Sequence, residues 1–133
     1  MHDLPNWSLP ILENLLCVFH IALVAFNITG WMHPITRRWH LLTIIATAFA
    51  WFGLGLYYGI GYCPLTDWQW ALRRQMGYFD MPDSFIKFIA DKALGINSNA
   101  DLIDLLTAIG FFVSLFLSVL LNIRDYRTHR KQA

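Results

Sequence analysis

Charge is scarce in this 133-residue chain: 14% of its residues are Asp, Glu, Lys or Arg, against about a quarter in soluble domains. The formal net charge is +1 at pH 7, and no basic stretch is interleaved with aromatics. That gives no case for a nucleic-acid partner. Cysteine is scarce too. Cys17 and Cys63 are too few for a disulfide scaffold, and neither belongs to a CxxC or CxxCH motif. No HxxE or HExxH spacing marks a metal centre, so none is assigned, and no internal repeat or low-complexity linker divides the chain.

What remains is apolar. Hydrophobic residues make up 56% of the sequence and aromatics 16%. Three windows, Leu15 to Met32, Leu41 to Tyr62 and Leu105 to Ile123, contain no Asp, Glu, Lys or Arg. Crossing a hydrocarbon core takes about 20 helical residues, so each window is read as a span. The first is expected to be permanent rather than a cleaved leader: Asp3 precedes it, no Lys or Arg does, and no small-x-small site follows.

Charge bias sets the expected topology. Arg37 and Arg38 lie between the first two spans, and Arg124, Arg127, Arg130 and Lys131 follow the third. By the positive-inside rule these segments are cytoplasmic, which places the N-terminus outside. The intervening outer segment carries Arg73, Arg74, Lys87 and Lys92 against Asp67, Asp80, Asp83, Asp91, Asp101 and Asp104. Trp31 and Trp39 mark the inner boundary, and Trp7, Tyr58, Tyr62, Trp68 and Trp70 the outer one.

Two short helices are expected on that outer face. Thr66 and Gln69 have capping-box spacing, Leu65, Trp68, Leu72 and Met76 form an apolar stripe, and Gly77 is a stop. After Pro82, a helix over Asp83 to Leu94 turns Phe85, Ile86, Ile89 and Ala93 toward lipid or bundle and Lys87, Asp91 and Lys92 toward water. Asn97-Ser98-Asn99 then caps the third span.

Polar residues inside a membrane mark the interior face of a helix. Asn6, Glu13, His20 and Asn27 are separated by sevens, two turns with only about 20° of drift. His40, Thr43, Thr47, Trp51, Tyr58 and Tyr62 form a second seam, and Asp104, Thr107, Phe111, Ser114, Ser118 and Asn122 a third. Gly55-x-x-x-Gly59 and the ladder Gly110, Ser114, Ser118 would let these helices approach closely.

Two readings of the seams stand side by side. One is architectural: Glu13 at headgroup level, Asn27 on a neighbouring hydroxyl, His20 satisfied by Thr47 or water. The other makes His20, at mid-membrane with Trp51 and Ser114, a proton acceptor, ligand or substrate contact. One haem cannot take His20 and His40 together, since His40 lies about ten residues from the middle of its span, roughly 15 Å in depth from His20. Glu13, Cys17, Asp104 and Cys63 could gather at the outer end, without metal-site spacing. Cys63 as a nucleophile lacks an outer histidine other than His2. Arg73 and Arg74 could meet lipid phosphates.

The set His20, Phe26 and Gly30, then Trp39-His40, Cys63-Pro64-Leu65-Thr66, Leu72-Arg73-Arg74 with Gly77, and Phe85-Ile86 resembles small bacterial membrane proteins classed as domain of unknown function 2784. The resemblance runs from about Leu15 to Ile123, and CPLT with the LRR-to-glycine spacing is its most specific part. It implies a bacterial inner-membrane location, brings no activity with it, and points to His20, His40, Cys63, Pro64, Thr66 and Arg73. Two departures are Gln69, where Glu is expected, and a longer glycine-rich end to the second span.

The expected fold is an all-α membrane protein: three transmembrane helices at about 9–32, 39–62 and 102–124, with two short amphipathic helices in an outer-face segment, 63–101, of one domain, 1–133. Candidate functional residues are Glu13, His20, His40, Trp51, Cys63, Thr66, Arg73 and Asp104, and no cofactor is assigned. The expected function is a small accessory or ligand-binding protein of the bacterial inner membrane. Its partners would be the bilayer and another membrane protein or a second copy, with no nucleic acid. The alternative is a membrane enzyme or redox component acting on a lipid-soluble substrate at the outer end.

Overall fold

The computed structural model describes residues 4–132; His2 and Asp3 lie outside them. The protein is all-α and membrane-type. Helix α1 spans Ser8–Thr29, α2 Arg37–Ala48, a π-helical segment Phe49–Leu54, α3 Gly55–Tyr58, α4 Pro64–Gln75, α5 Phe85–Leu94 and α6 Ala100–Gln132. Among the described residues, three stretches are long and apolar enough to cross a membrane: Ser8–Thr29, Arg37–Tyr58 and Ala100–Gln132. Helix α6, at about 1.5 Å per residue, outruns a hydrocarbon core of roughly 30 Å. Large apolar side chains such as Phe19, Leu42 and Phe116 stay exposed on these helices, as lipid-facing surfaces require.

The chain forms two compact units, one of residues to Ala22 with Cys63–Thr107, the other of Leu23–Tyr62 with residues from Ala108 onward. In the second, His40 is the hub. Its side chain is fully buried, with Nδ1 2.9 Å from Ser118 Oγ and Nε2 2.7 Å from the Asn27 carbonyl. Asn27 Nδ2 donates to Thr47 Oγ1 at 2.9 Å, and Asn122 Nδ2 to the Arg37 carbonyl at 3.1 Å. Three helices are thus joined by hydrogen bonds between otherwise unsatisfiable groups, the economical way to fix a bundle in lipid. Gly30 belongs to this arrangement, because a Cβ there would come within 2.9 Å of the His40 ring.

The second span departs from expectation. His40, Ile44 and Gly55 are buried and Thr43, Thr47 and Trp51 are among its half-buried positions, but Tyr58 is 60% exposed. The π segment widens its turns by about one residue, which rotates Tyr58 off the seam; it stacks on Tyr62 instead, at 4.5 Å. The helix also ends at Tyr58 rather than Tyr62, because Gly59 takes φ +116°. Gly55 and Gly59 therefore form no helix-packing motif: Gly55 makes room for its own returning chain at Ile60, and the Gly61 N–H donates to the Trp51 carbonyl at 3.1 Å. In α6, Phe111, Ser114 and Ser118 are buried, but Gly110 opens onto empty space and Asp104 is exposed.

In the first unit, Cys63 caps α4 with extended backbone and Pro64 opens its first turn. The helix closes in a Schellman arrangement, with the Gly77 N–H on the Arg74 carbonyl and the Tyr78 N–H on that of Arg73. No capping box forms. The buried face holds Thr66, Gln69, Trp70 and Leu72; Leu65 and Met76 of the expected stripe are half-buried, but Trp68 is 53% exposed, and two polar side chains share the inner face with the apolar ones.

Ser84 caps α5 by accepting from the Lys87 N–H, and Asn99 caps α6 by accepting from the Leu102 N–H. Lys87 and Asp91 do not point freely to water. Lys87 Nζ bonds Asp91 and Asn97, and Asp91 also accepts from the Ser98 N–H and hydroxyl, latching α5 to the turn before α6. Lys87 first, then Ser98, holds the Asp91 carboxyl at about 2, below its ordinary 3.8. A lowered folded-state pKa makes the latch fully effective above the ordinary carboxylate range and lost as pH falls through about 2. Pepsin cleavage within 95–99 should therefore rise between pH 4 and pH 2, and Asp91→Asn should be cut readily already at pH 4. Equal cleavage across that range in the native chain would contradict the latch.

Candidate functional site

Seven residues along α1 separate Glu13 from His20, two turns or about 10 Å on one face, and both are buried. Helix α4 runs antiparallel beside them. Near its C-terminal half, Gln69 Nε2 donates to Glu13 Oε1 at 2.9 Å and Arg73 Nη1 donates to the same oxygen at 3.3 Å. At its N-cap, Cys63 Sγ lies 3.7 Å from His20 Nε2. Thr66, Gln69 and Arg73 share one stripe by their spacing of three and four, and Thr66 and Gln69 are buried.

Aromatic rings complete the walls. His20 stacks on Phe85 of α5 with centroids 3.8 Å apart and planes 13° from parallel. The Arg73 guanidinium lies over Tyr78 at 4.6 Å and Phe88 at 4.8 Å, an arrangement suited to its planar, weakly hydrated cation. Trp70 packs edge-on to Phe88 and donates Nε1–H to the Pro82 carbonyl at 3.0 Å.

Glu13 and Arg73 form an ion pair, so the cluster needs no external counter-ion. Gln69 offers Glu13 a neutral N–H donor, where a carboxylate would repel it unless one of the two held a proton. Three polar atoms of the cluster are buried without a hydrogen-bond partner: His20 Nδ1, Gln69 Oε1 and Arg73 Nε. Such atoms are rare and mark places where something else supplies the bond.

Of the eight candidate residues, Glu13, His20, Cys63 and Arg73 come together here, with Thr66 on the same stripe. His40 and Trp51 belong to the second unit. Both His40 ring nitrogens are engaged, and Trp51 packs against Phe111 at 4.5 Å. Asp104 is exposed. Among the described residues no three His, Cys, Asp or Glu side chains gather as a metal would need. Thr47, the expected partner of His20, is taken by Asn27. Glu13 is buried against Gln69 and Arg73.

Cys63 does have a histidine, His20, which depth along the spans had separated from it. Gln69 and Phe85 were the members whose roles escaped sequence reasoning. The one available signal for Gln69 was its spacing from Thr66 and Arg73, which repeats the polar stripe. A family model described as Protein of Unknown function (DUF2784) matches residues 10–123. No curated protein and no solved structure matches the chain.

Proposed function

We propose, for a chain that belongs to the DUF2784 family of proteins of unknown function, a small integral membrane protein that binds a lipid-soluble molecule through the polar cluster of α1, α4 and α5. The observation that carries this reading is the trio of unpartnered buried atoms, His20 Nδ1, Gln69 Oε1 and Arg73 Nε. Arg73 Nε–H donates and Gln69 Oε1 accepts, so the polar head should offer both a carbonyl-type acceptor and a hydroxyl or amide donor. Phe85, Phe88 and Tyr78 suit an apolar or ring-bearing body.

The charge bias supports a cytoplasmic C-terminus and an outward N-terminus, and the family resemblance supports the bacterial inner membrane. The partners are the bilayer and another membrane protein or a second copy of the chain.

A second reading rests on Cys63 Sγ and His20 Nε2 at 3.7 Å. A thiol–imidazole couple is the basis of nucleophilic catalysis. His20 would take the thiol proton, the sulfur would bond to an acyl carbon of a lipid-soluble ester, and the alcohol would leave with that proton.

Mass spectrometry of protein purified gently from its native membrane separates these readings. Binding predicts a non-covalent ligand in the native spectrum that is lost in His20→Gln and in Gln69→Leu, with both variants folded. Chemistry predicts added covalent mass on Cys63, absent in Cys63→Ser. Bare protein in every spectrum, after reconstitution with the source lipid extract, would sink both.

A further inference from the structure

In the second unit, the loop before α2 and the last turns of α6 enclose an open pocket of about 820 Å³ lined by Arg37, Arg38, Asn122, Arg124, Tyr126 and His129, among others. One carboxylate faces its three arginines. Asp125 is occupied by Arg37, which reaches both its oxygens at 3.0 and 3.2 Å, and approached by Arg124 at 3.5 Å. Arg37 is further fixed by donating Nε–H to the Trp31 carbonyl at 3.0 Å. Arg37 therefore builds the wall, while Arg38 is exposed and the Arg124 side chain is 63% exposed. These two cations come from separate segments yet border one concavity. The positive-inside bias accounts for basic residues on this side, but not for their convergence on a pocket.

We propose that this pocket binds the phosphate headgroup of an anionic membrane lipid. Guanidinium groups match phosphate oxygens in a two-pronged geometry, and basic pockets between transmembrane helices suit such headgroups. The rim separates a lipid from a free phosphate. Ile35 and Tyr126 also line the pocket and are 77% and 64% exposed, so apolar surface adjoins the cations where an acyl chain would run. The site is independent of the cluster around His20, and neither stands or falls with the other.

The test is native mass spectrometry of the full chain titrated with phosphatidylglycerol or phosphatidylcholine, with inorganic pyrophosphate as competitor. Phosphatidylglycerol should bind preferentially. Arg38→Ala with Arg124→Ala should weaken it by about tenfold or more, and the corresponding Lys pair, which keeps the charge but not the two-pronged geometry, should fall between that variant and the native chain. Arg127→Ala with Arg130→Ala, which removes the same charge from helix positions that do not line the pocket, should leave binding unchanged. An equal loss in that control would reduce the effect to bulk charge and overturn the site. So would equal binding of phosphatidylcholine, an undiminished Arg38/Arg124 variant, or complete displacement by pyrophosphate, which would make the ligand a soluble phosphate. Helical content by circular dichroism shows that each variant is folded.

Discussion

Replacing Glu13 by alanine should lower the unfolding free energy by about 3–5 kcal/mol, the usual cost of breaking a buried ion pair from one side. Two donors converge on one Glu13 oxygen, from Gln69 and Arg73. Removing it leaves the Arg73 guanidinium, whose side chain is only 16% exposed, without its counter-charge, and leaves the Gln69 amide N–H without an acceptor. Glu13→Gln keeps an acceptor for one donor but not the charge, so it should fall between alanine and the native chain.

The double change Glu13→Gln with Arg73→Gln removes both charges and should recover part of the loss. That coupling distinguishes an ion pair from mere packing. Denaturant unfolding in a fixed detergent measures the native chain, Glu13→Ala, Glu13→Gln, Arg73→Gln and the double variant. Additive losses, with no recovery in the double variant, would mean that the pair contributes no coupling.

His40→Ala should cost about 3 kcal/mol in the same assay. The substitution opens a cavity in a fully buried place and deprives Ser118 Oγ and the Asn27 carbonyl of their shared partner. Membrane hydrogen bonds are often worth well under that singly, so the magnitude depends on losing two at once together with the ring volume. His40→Gln should recover part of it by bridging one of the two. His20→Gln, by contrast, should leave stability within about 1 kcal/mol, because the polar contact it gives up is a single long one to a thiol and the glutamine side chain can still pack against Phe85. If His40→Ala unfolded no more easily than His20→Gln, the hub assignment would fail.

The contrast between the two histidines also shows what could be read in advance. Spans and the middle of the α6 seam are legible because an apolar run and a spacing of threes and fours are local properties: Phe111, Ser114 and Ser118 are buried, although Asp104 at the start of that seam is exposed. Asn99 as a cap and Gly77 as a stop are legible for the same reason. The couple of Cys63 with His20 is not, since it needs α4 to run beside α1, and nothing within either segment encodes that pairing. The capping-box spacing of Thr66 and Gln69 misleads because tertiary structure claims the Gln69 amide for Glu13. Lys87 and Asp91 resemble a solvated face until the turn at Asn97 and Ser98 comes back over them.

The π segment at Phe49–Leu54 acts as a phase slip. Residues on either side of it obey two separate helical wheels, offset by the angle of roughly one residue, about 100°. Any inventory of inward and outward positions must be restarted at Gly55, so that Tyr57 and Tyr58 answer to a different neighbourhood than a count from His40 assigns. Insertions and deletions then acquire a meaning that substitutions lack. A single residue lost within 49–54 could heal the slip into ordinary helix and swing the aromatic end of the span by that same angle, while every side chain from His40 to Thr47 kept its place.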